Sequence, residues 1–272
     1  MNKEEASNYN EYWQVIAENT GYDFSGYSSD SLNKRLASFV SSERIGSAEE
    51  LKNRLFTDRL IQDKILRKLL ISYTEMFRDP GFFQSLKDQV LPHLAVFPKI
   101  SIWVAGCATG EEVYSLAMLL HEIDLLNRCE IVATDISEQN IGNAASGIFS
   151  LQRLQESGTR YYASGGKRKL ADYYTAYYDH VVFHAALKER IKFKQHNLVK
   201  DLPPQRFHLV LCRNVLIYFN RDAQRRVLHM LTSCLMNHGY LGLGIQEHFP
   251  GLVGNDLFPI DRPNKLFRKI IL

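Results

Sequence analysis

The sequence predicts an α/β protein: a doubly wound, mostly parallel sheet that follows an all-helical N-terminal domain and carries a small inserted subdomain. From residue 99 onward, short apolar runs alternate with helix-length segments, a pattern typical of a parallel sheet covered on both faces. Before residue 90, apolar residues recur at three- and four-residue spacing with few strand signals. We therefore predict a helical domain over residues 1–92 and an α/β domain over residues 93–272, with an insertion at about 148–190.

The helical domain is predicted to consist of amphipathic helices. Ser47 and Glu50 have the spacing of a capping box, which marks the start of a helix. Pro92 and Pro98 bracket a predicted linker to the second domain. The predicted helices lie near residues 7–20, 29–42, 48–56, 58–72 and 80–89.

The α/β domain is predicted to contain strands joined by crossover helices. Its last apolar run directly follows proline-rich turns and suits an added antiparallel strand. Strands are predicted at residues 100–105, 130–134, 191–194, 207–212, 239–244 and 265–271, and helices near 111–126, 137–146 and 222–236.

The predicted insertion is rich in tyrosine. Tyr173, Tyr174, Tyr177 and Tyr178 have helical spacing. Packing is the favoured role for these side chains, and a peptide-binding groove is the alternative.

Composition excludes several classes of protein. A chain of 272 residues with 45% hydrophobic residues can bury a full core. A formal net charge of +3 gives no argument for a nucleic-acid partner. No apolar run approaches the roughly 20 residues of a membrane span, and the first residues do not resemble a signal peptide. The four cysteines form no C-x-x-C pair, so we expect buried thiols in a soluble, cytoplasmic protein. We also expect a monomer.

The strongest functional signal is a strand–turn–helix segment at residues 102–115. Gly106 lies in its small-residue turn, and Asp135 closes the next apolar strand 29 residues later. This layout is typical of a nucleoside-cofactor site, because glycine lets the backbone approach the ligand and the acid can accept both ribose hydroxyls.

The same turn indicates which nucleoside binds. Gly106 and Gly110 do not form G-x-G-x-x-G, and Glu111 and Glu112 open the helix where a pyrophosphate needs amides without anions. A cofactor with a ribose and an ammonium group but no phosphates fits better. The sequence therefore predicts S-adenosylmethionine.

Later strands supply two further candidates. Asn197 ends one strand and could pair with the adenine edge, although an Asx turn is the favoured interpretation of this residue alone. Arg213 and Asn214 follow an apolar strand, at the edge of a parallel sheet where ligands bind. A charged residue inside an apolar run needs a ligand or a partner, so a buried structural arginine is the alternative for Arg213.

Upstream, Thr74 and Arg78 are four residues apart and would share a helix face if this segment were helical. This signal is weak alone, because an exposed arginine is usually solvated.

Together these segments resemble the chemotaxis-receptor methyltransferases of the CheR type, in the same order along nearly the whole chain. The most specific segment is Cys212-Arg-Asn-Val-Leu-Ile-Tyr-Phe219. The others are Thr74-x-x-Phe77-Arg78, Gly106-Cys-Ala-Thr-Gly-Glu-Glu-Val-Tyr-Ser115, Ala133-Thr-Asp-Ile136 and His196-Asn-Leu198, and Tyr22-Asp-Phe-Ser-Gly-Tyr27 with Leu32-Asn-Lys-Arg-Leu36 resembles the N-terminal domain of the family.

The resemblance implies a Rossmann-like class I methyltransferase fold. It implies methyl transfer from S-adenosylmethionine to glutamate side chains of a chemoreceptor, which gives γ-glutamyl methyl esters and S-adenosylhomocysteine. Many family members have Asn at the position of Ser72, which puts that contact in doubt. The predicted cofactor-binding residues are Ser72, Thr74, Arg78, Gly106, Glu112, Asp135, Asn197, Leu198, Arg213 and Asn214.

We assign separate roles within this set. Asp135 is predicted to hold the ribose and Glu112 the polar head of the cofactor. Arg78, Arg213 and Tyr218 are the predicted catalytic residues, which orient the methionine moiety and the acceptor carboxylate. A glutamate is already ionised at pH 7, so we predict no general base, no metal and no nucleophilic cysteine.

The partner implied by the resemblance is a methyl-accepting chemoreceptor or a similar acidic, helical signalling protein. Residues 29–70 contain nine Lys and Arg against six Asp and Glu. Lys34 and Arg35 are the predicted docking residues, although the family often has a denser arginine cluster here and a solvated helix face is the alternative.

Three functions stay open at this point. The first is an active protein-glutamate methyltransferase, in chemotaxis or in another signalling pathway. The second is a cofactor-binding scaffold with the fold and without the activity. The third is a methyltransferase for a small carboxylic acid, which the attached basic helical domain argues against.

Overall fold

The computed structural model describes residues 9–70, 72–247 and 256–270. The chain divides into two compact units, Met1–Ser72 with Tyr218–Gln224, and Tyr73–Ile217 with Arg225–Leu272. The sequence predicted a domain boundary after residue 92, whereas the division into compact units lies after residue 72. The reason is that the segment after Tyr73 and the helix that follows it carry apolar side chains, such as Phe77 and Phe82, that belong to the core of the larger unit.

The smaller unit is helical, as the apolar spacing predicted. Its helices α1 and α3 pack together, and so do α2 and α4. Each buries an apolar stripe, with Ile16, Leu36, Leu51 and Ile65 fully inaccessible to solvent. The helices are α1 (Asn10–Thr20), α2 (Ser29–Ser42), α3 (Ala48–Thr57) and α4 (Arg59–Leu69).

The predicted capping box starts α3. The side chain of Ser47 accepts a hydrogen bond from the amide of Glu50 at 3.1 Å, and the Glu50 carboxylate accepts one from the amide of Gly46 at 2.7 Å.

A late segment of the chain also belongs to the smaller unit, which periodicity could not predict. The ring of Phe219 packs edge-on against Tyr27 with 5.0 Å between centroids. Nearby, the amide of Asn220 donates to the carbonyl oxygen of Gly26 at 2.9 Å. This is a contact between residues far apart in sequence, so only the folded chain reveals it.

The larger unit is built on a seven-stranded sheet of order β6-β2-β1-β7-β8-β10-β9. Strands β6, β2, β1, β7 and β8 are parallel, and β10 runs antiparallel to both β8 and β9. All six predicted strands are present, and the antiparallel last strand is confirmed; β9 was not predicted. The strands are β1 (Ile100–Ala105), β2 (Cys129–Asp135), β6 (Ile191–Gln195), β7 (Phe207–Cys212), β8 (Leu235–Leu243), β9 (Leu257–Asp261) and β10 (Leu266–Lys269).

Helices precede the sheet and connect its strands. The predicted linker at Pro92 is wrong, because this residue is the second residue of α6, which directly continues the preceding helical turns. A π-helical turn, Leu86–Val90, joins α5 to α6. The helices are α5 (Pro80–Ser85), α6 (Leu91–Leu94), α7 (Glu111–Glu122), α8 (Glu138–Ser146) and, after the insertion, α12 (Arg221–Ser233).

The insertion forms a three-stranded antiparallel sheet of order β3-β5-β4 with short helices. The spacing of its tyrosines does not correspond to a helix, because Tyr174 begins a strand, and Tyr178 does not pack, because it is 99% exposed in the turn after that strand. Tyr173 does pack as expected, and its hydroxyl donates to Glu122 at 3.1 Å. The elements are β3 (Ile148–Ser150), α9 (Leu151–Glu156), α10 (Gly158–Ala163), β4 (Tyr174–Ala176), β5 (His180–Phe183) and α11 (Ala185–Lys188).

All four cysteines are buried free thiols, as the sequence predicted. Within the described ranges, no helix combines the length and the apolar character that crossing a bilayer requires.

Candidate cofactor site of the larger unit

The turn between β1 and α7 folds over the end of β2. The amides of Gly106 and Cys107 both donate to the carbonyl oxygen of Thr134, at 2.7 and 2.8 Å. Gly106 has φ 77° and Gly110 has φ 100°, a backbone region in which a side chain is strained. The chain therefore makes its tight turn where these two glycines stand, as the sequence predicted for a backbone that must approach a ligand.

Asp135, at the end of β2, is tied to that turn. Its Oδ2 atom accepts a hydrogen bond from the amide of Ala108 at 2.9 Å. Its Oδ1 atom accepts from the amide of Ser137 at 2.9 Å and from the side chain of Asn140 at 3.1 Å. Burial raises the pKa of Asp135, and these donors oppose that rise because they stabilise the anion. The carboxylate thus has a fixed orientation at the carboxyl edge of the sheet.

Gly106 gives a direct test of the turn. A Cβ atom at this residue would lie 2.5 Å from Cγ2 of Val215, so Gly106→Ala adds a steric clash to an unfavourable φ. We expect a loss of about 2–4 kcal/mol in the free energy of unfolding, measured by chemical denaturation.

The matched control is Gly142→Ala, inside α8, where a Cβ atom meets nothing within 4 Å. That change should be neutral or stabilise by up to about 1 kcal/mol. Equal stability of the two variants would contradict the packing of Val215 on the turn.

Arg213 lies directly after β7 and its side chain is completely buried. Its Nη1 donates to Oε2 of Glu112 at 2.7 Å, and its Nη2 donates to Oδ2 of Asp79 at 2.8 Å. Its guanidinium carbon also lies 4.0 Å from the centre of the Phe82 ring. A buried arginine requires such partners, and the internal pairing that the sequence left as an alternative is present.

Glu112 is the second member of this cluster. Burial raises the pKa of its carboxyl group, whereas Arg213 and, more weakly, Arg78 lower it. Asp79, whose charge raises the same pKa, was not identified from the sequence. Its backbone φ of 58° is unusual for a residue that is not glycine, and no sequence pattern predicts that conformation.

The segment that leads into α5 is extended and then turned, so the condition under which Thr74 and Arg78 would share a helix face is not met. The amide of Phe77 donates to Oγ of Ser115 in α7 at 2.9 Å, which fixes the turn on that helix. The guanidinium of Arg78 lies 5.8 Å from the centre of the Tyr73 ring, and its carbonyl oxygen accepts a bond from Arg213.

Asn197 forms the Asx turn that the sequence favoured. Its Oδ1 atom accepts a hydrogen bond from the backbone amide of Val199 at 2.9 Å, and its backbone amide donates one to Oδ2 of Asp201 at 2.7 Å. Leu198 is buried beside it. Contact of these two residues with adenine stays a prediction.

Asn214 is half-buried and has φ 59°, and a Cβ atom on Gly244 would lie 2.6 Å from its amide nitrogen. The larger unit contains nine of the ten predicted cofactor residues: Thr74, Arg78, Gly106, Glu112, Asp135, Asn197, Leu198, Arg213 and Asn214.

The remaining predicted residues belong to the smaller unit. Ser72 is half-buried, and the ring of Tyr218 lies 6.0 Å from the guanidinium of Arg35. Arg35 also donates to the carbonyl oxygen of Leu69 and to Oγ of Ser31, whereas Lys34 is exposed. Of the two predicted docking residues, Lys34 is exposed, whereas Arg35 is half-buried and its guanidinium is hydrogen-bonded within this unit.

A cavity of about 800 Å³ lies between the segment at 73–76, the start of α7 and the insertion. Thr74 is the one predicted cofactor residue in its lining, which also includes Glu111, Arg153 and Arg160. In the described parts of the chain, no group of three or more His, Cys, Asp or Glu side chains is arranged to hold a metal ion.

The residues at this edge of the sheet fit S-adenosylmethionine. Asp135 offers carboxylate oxygens for a ribose, beside a turn whose glycines admit a close ligand. Glu112 and Arg213 supply the opposite charges that an ammonium and a carboxylate group need, and Nε of Arg213 is buried with no hydrogen-bond partner among the described residues. Fold and site together define an S-adenosylmethionine-dependent methyltransferase.

Comparison with known proteins identifies the family. Residues 72–259 match the family described as "CheR methyltransferase, SAM binding domain". This match covers more than half of the chain, and the chain belongs to the CheR methyltransferase family.

Its relatives match along most of the chain. It is 39% identical over 249 residues to "Putative methyltransferase Cher3" of Pseudomonas putida, covering 91% of each chain. It is 30% identical over 236 residues to chemotaxis protein methyltransferase 1 of Pseudomonas aeruginosa, covering 79% of this chain and 81% of that protein. With the chemotaxis protein methyltransferase of Listeria monocytogenes the identity is 26% over 243 residues, covering 87% and 88%.

Proposed function

We propose that this protein methylates glutamate side chains of a chemoreceptor or a related helical signalling protein, with S-adenosylmethionine as the methyl donor. The observation that carries the proposal is that two features lie at the same edge of the sheet. One is Asp135, fixed at the end of β2, and the other is the buried ion pair of Glu112 and Arg213. The names of the relatives from Pseudomonas aeruginosa and Listeria monocytogenes support the substrate class.

The proposed reaction needs orientation more than acid–base chemistry. S-adenosylmethionine supplies a methyl group bound to a positively charged sulfur. The acceptor glutamate is an anion at neutral pH, so it attacks without a general base. Because both charges decrease on the way to the transition state, strong stabilisation of either one in the bound reactants would slow the transfer. Alignment of the reacting atoms and exclusion of water are the main contributions left to the protein.

The residues of the larger unit suit that task. Asp135 would accept hydrogen bonds from the ribose hydroxyls, and Glu112 would accept from the amino group of the methionine moiety. Arg213 is held by Glu112 and Asp79, so it acts as a fixed positive charge rather than a mobile one. Arg78 is half-buried beside it and would orient the methionine moiety. The role of Tyr218 at the acceptor carboxylate is part of the same proposal.

Docking of the acceptor protein is assigned to the smaller unit. Because Arg35 donates to groups within that unit, we assign docking to Lys34 together with other exposed bases of α3 and α4, which an acidic helix could contact. These are Lys52, Arg59, Arg67 and Lys68.

Transfer of tritium from methyl-labelled S-adenosylmethionine to receptor-containing membranes tests the function. We expect incorporation that is released as volatile methanol by base, because glutamyl esters hydrolyse and amide or amine methyl groups do not. Receptor in which the acceptor glutamates are replaced by alanine is the control and should stay unlabelled.

The same assay separates the alternatives. Cofactor binding without transfer to any receptor would indicate a scaffold protein. Base-labile methyl groups on a small carboxylic acid and not on the receptor would indicate the third function.

A further inference from the structure

Glu247 is a buried carboxylate that the proposed chemistry does not use. It is 1% exposed and lies shortly after β8. Its Oε1 atom accepts hydrogen bonds from the amides of Val215 and Leu216 at 3.0 and 2.9 Å, and its Oε2 atom accepts from the amide of Gly244 at 2.5 Å. A single side chain therefore satisfies backbone donors from two different loops.

These two loops follow neighbouring strands. β7 and β8 are parallel and paired, so the residues after them emerge side by side at the carboxyl edge of the sheet. The loop after β7 carries Arg213 and Asn214, and Val215 in the same loop packs on Gly106. Glu247 thus joins the loop with two predicted cofactor residues to the loop after β8.

The geometry around this loop leaves little freedom. Asn214 has a left-handed φ of 59°, a region that few residues other than glycine, asparagine and aspartate adopt. Gly244 approaches Asn214 so closely that a Cβ atom would lie 2.6 Å from the Asn214 amide nitrogen. Hydrogen bonds from Val215 and Leu216, the residues immediately after Asn214, are a physical source of that constraint.

We propose that Glu247 is a positioning residue: its carboxylate holds the loop after β7 in the conformation that presents Arg213 and Asn214 to the cofactor. This proposal rests on the cofactor contacts assigned to those two residues. Glu247 acts through the amides of Val215, Leu216 and Gly244, and it contacts neither cofactor nor acceptor.

The isosteric change Glu247→Gln tests this role, because the amide keeps one acceptor oxygen and turns an NH₂ group toward backbone donors. Burial raises the pKa of Glu247 to about 7, so measurements belong at pH 8, where the carboxylate predominates. We expect hydrogen exchange of the Val215 and Leu216 amides to rise about 10-fold, and the Kd for S-adenosylmethionine to rise about 10-fold by calorimetry.

Glu122→Gln is the matched control. Glu122 also accepts from a backbone amide, that of Lys167 at 3.0 Å, and from two tyrosine hydroxyls, but it ties α7 to the insertion. This change should speed exchange around Lys167 and leave the exchange of the β7 loop and the cofactor Kd unchanged.

Each outcome decides a separate point. Unchanged exchange at Val215 and Leu216 in Glu247→Gln, or unchanged cofactor affinity despite faster exchange, overturns the positioning role. If Glu247→Gln does not fold, Glu247→Asp is measured in the same two ways. If the unaltered protein does not bind S-adenosylmethionine, the proposed function fails, and the exchange rates still show whether Glu247 holds the loop.

Discussion

Replacement of Asp135 by alanine is expected to weaken S-adenosylmethionine binding by about 100-fold, measured by calorimetric titration. Two effects add. The ribose loses its charged acceptor, and the amide of Ala108 loses the bond that fixes the turn after β1. Catalytic turnover at saturating cofactor should fall much less than the affinity, because Asp135 is not assigned to the reacting atoms.

Glu138→Gln is the control for this experiment. Glu138 lies three residues further along, in the first turn of α8, and is exposed. Its replacement removes a nearby negative charge without removing a contact to the turn, so the Kd should stay within about 2-fold. Unchanged affinity in Asp135→Ala would remove Asp135 from the cofactor site.

Replacement of Arg213 by methionine is expected to lower the free energy of unfolding by about 3–5 kcal/mol, measured by chemical denaturation. The change leaves the carboxylates of Glu112 and Asp79 without their shared cation in a buried site. Arg213→Lys should recover part of the loss at most, because one ammonium group cannot reproduce the bonds that two guanidinium nitrogens make.

Lys64→Met provides the comparison on the surface. Lys64 pairs with Glu43 at 3.1 Å, and its side chain is 56% exposed. Such a pair contributes about 0–1 kcal/mol. The loss in the free energy of unfolding should therefore be several-fold larger for Arg213→Met than for Lys64→Met. A loss as small in Arg213→Met as in Lys64→Met would mean that the Arg213 cluster does not hold the larger unit together.

Much of the larger unit was predictable because its signals are local. An apolar run of five or six residues between turn signals has few alternatives to a buried strand, and all six predicted strands are present. The unpredicted strand β9 contains Pro259, a residue that argues against a strand wherever its neighbours in space are unknown. It tolerates proline because it is the edge strand of the sheet.

In the candidate site, too, the residues with local sequence signals were predictable and the others were not. Asp135 and Gly106 were identified because a strand ending in an acid and a glycine turn are visible within a few residues. Asp79 and Glu247 were not identified, because nothing near them in sequence indicates their partners: Asp79 is 134 residues from Arg213, and Glu247 is 32 residues from Val215.

The sequence by itself determined the fold class, the cofactor and the family of this protein. These depend on local patterns: apolar periodicity, a turn with two glycines and two acids, and the segment from Cys212 to Phe219. The tertiary structure alone decided which charges are paired. Arg213 is bound to Glu112 and Asp79, Arg35 to backbone and hydroxyl oxygens of its own unit, and the loop after β7 to Glu247. The physical reason is that burial forces each charged group to find a partner in space, and distance along the chain does not specify which one.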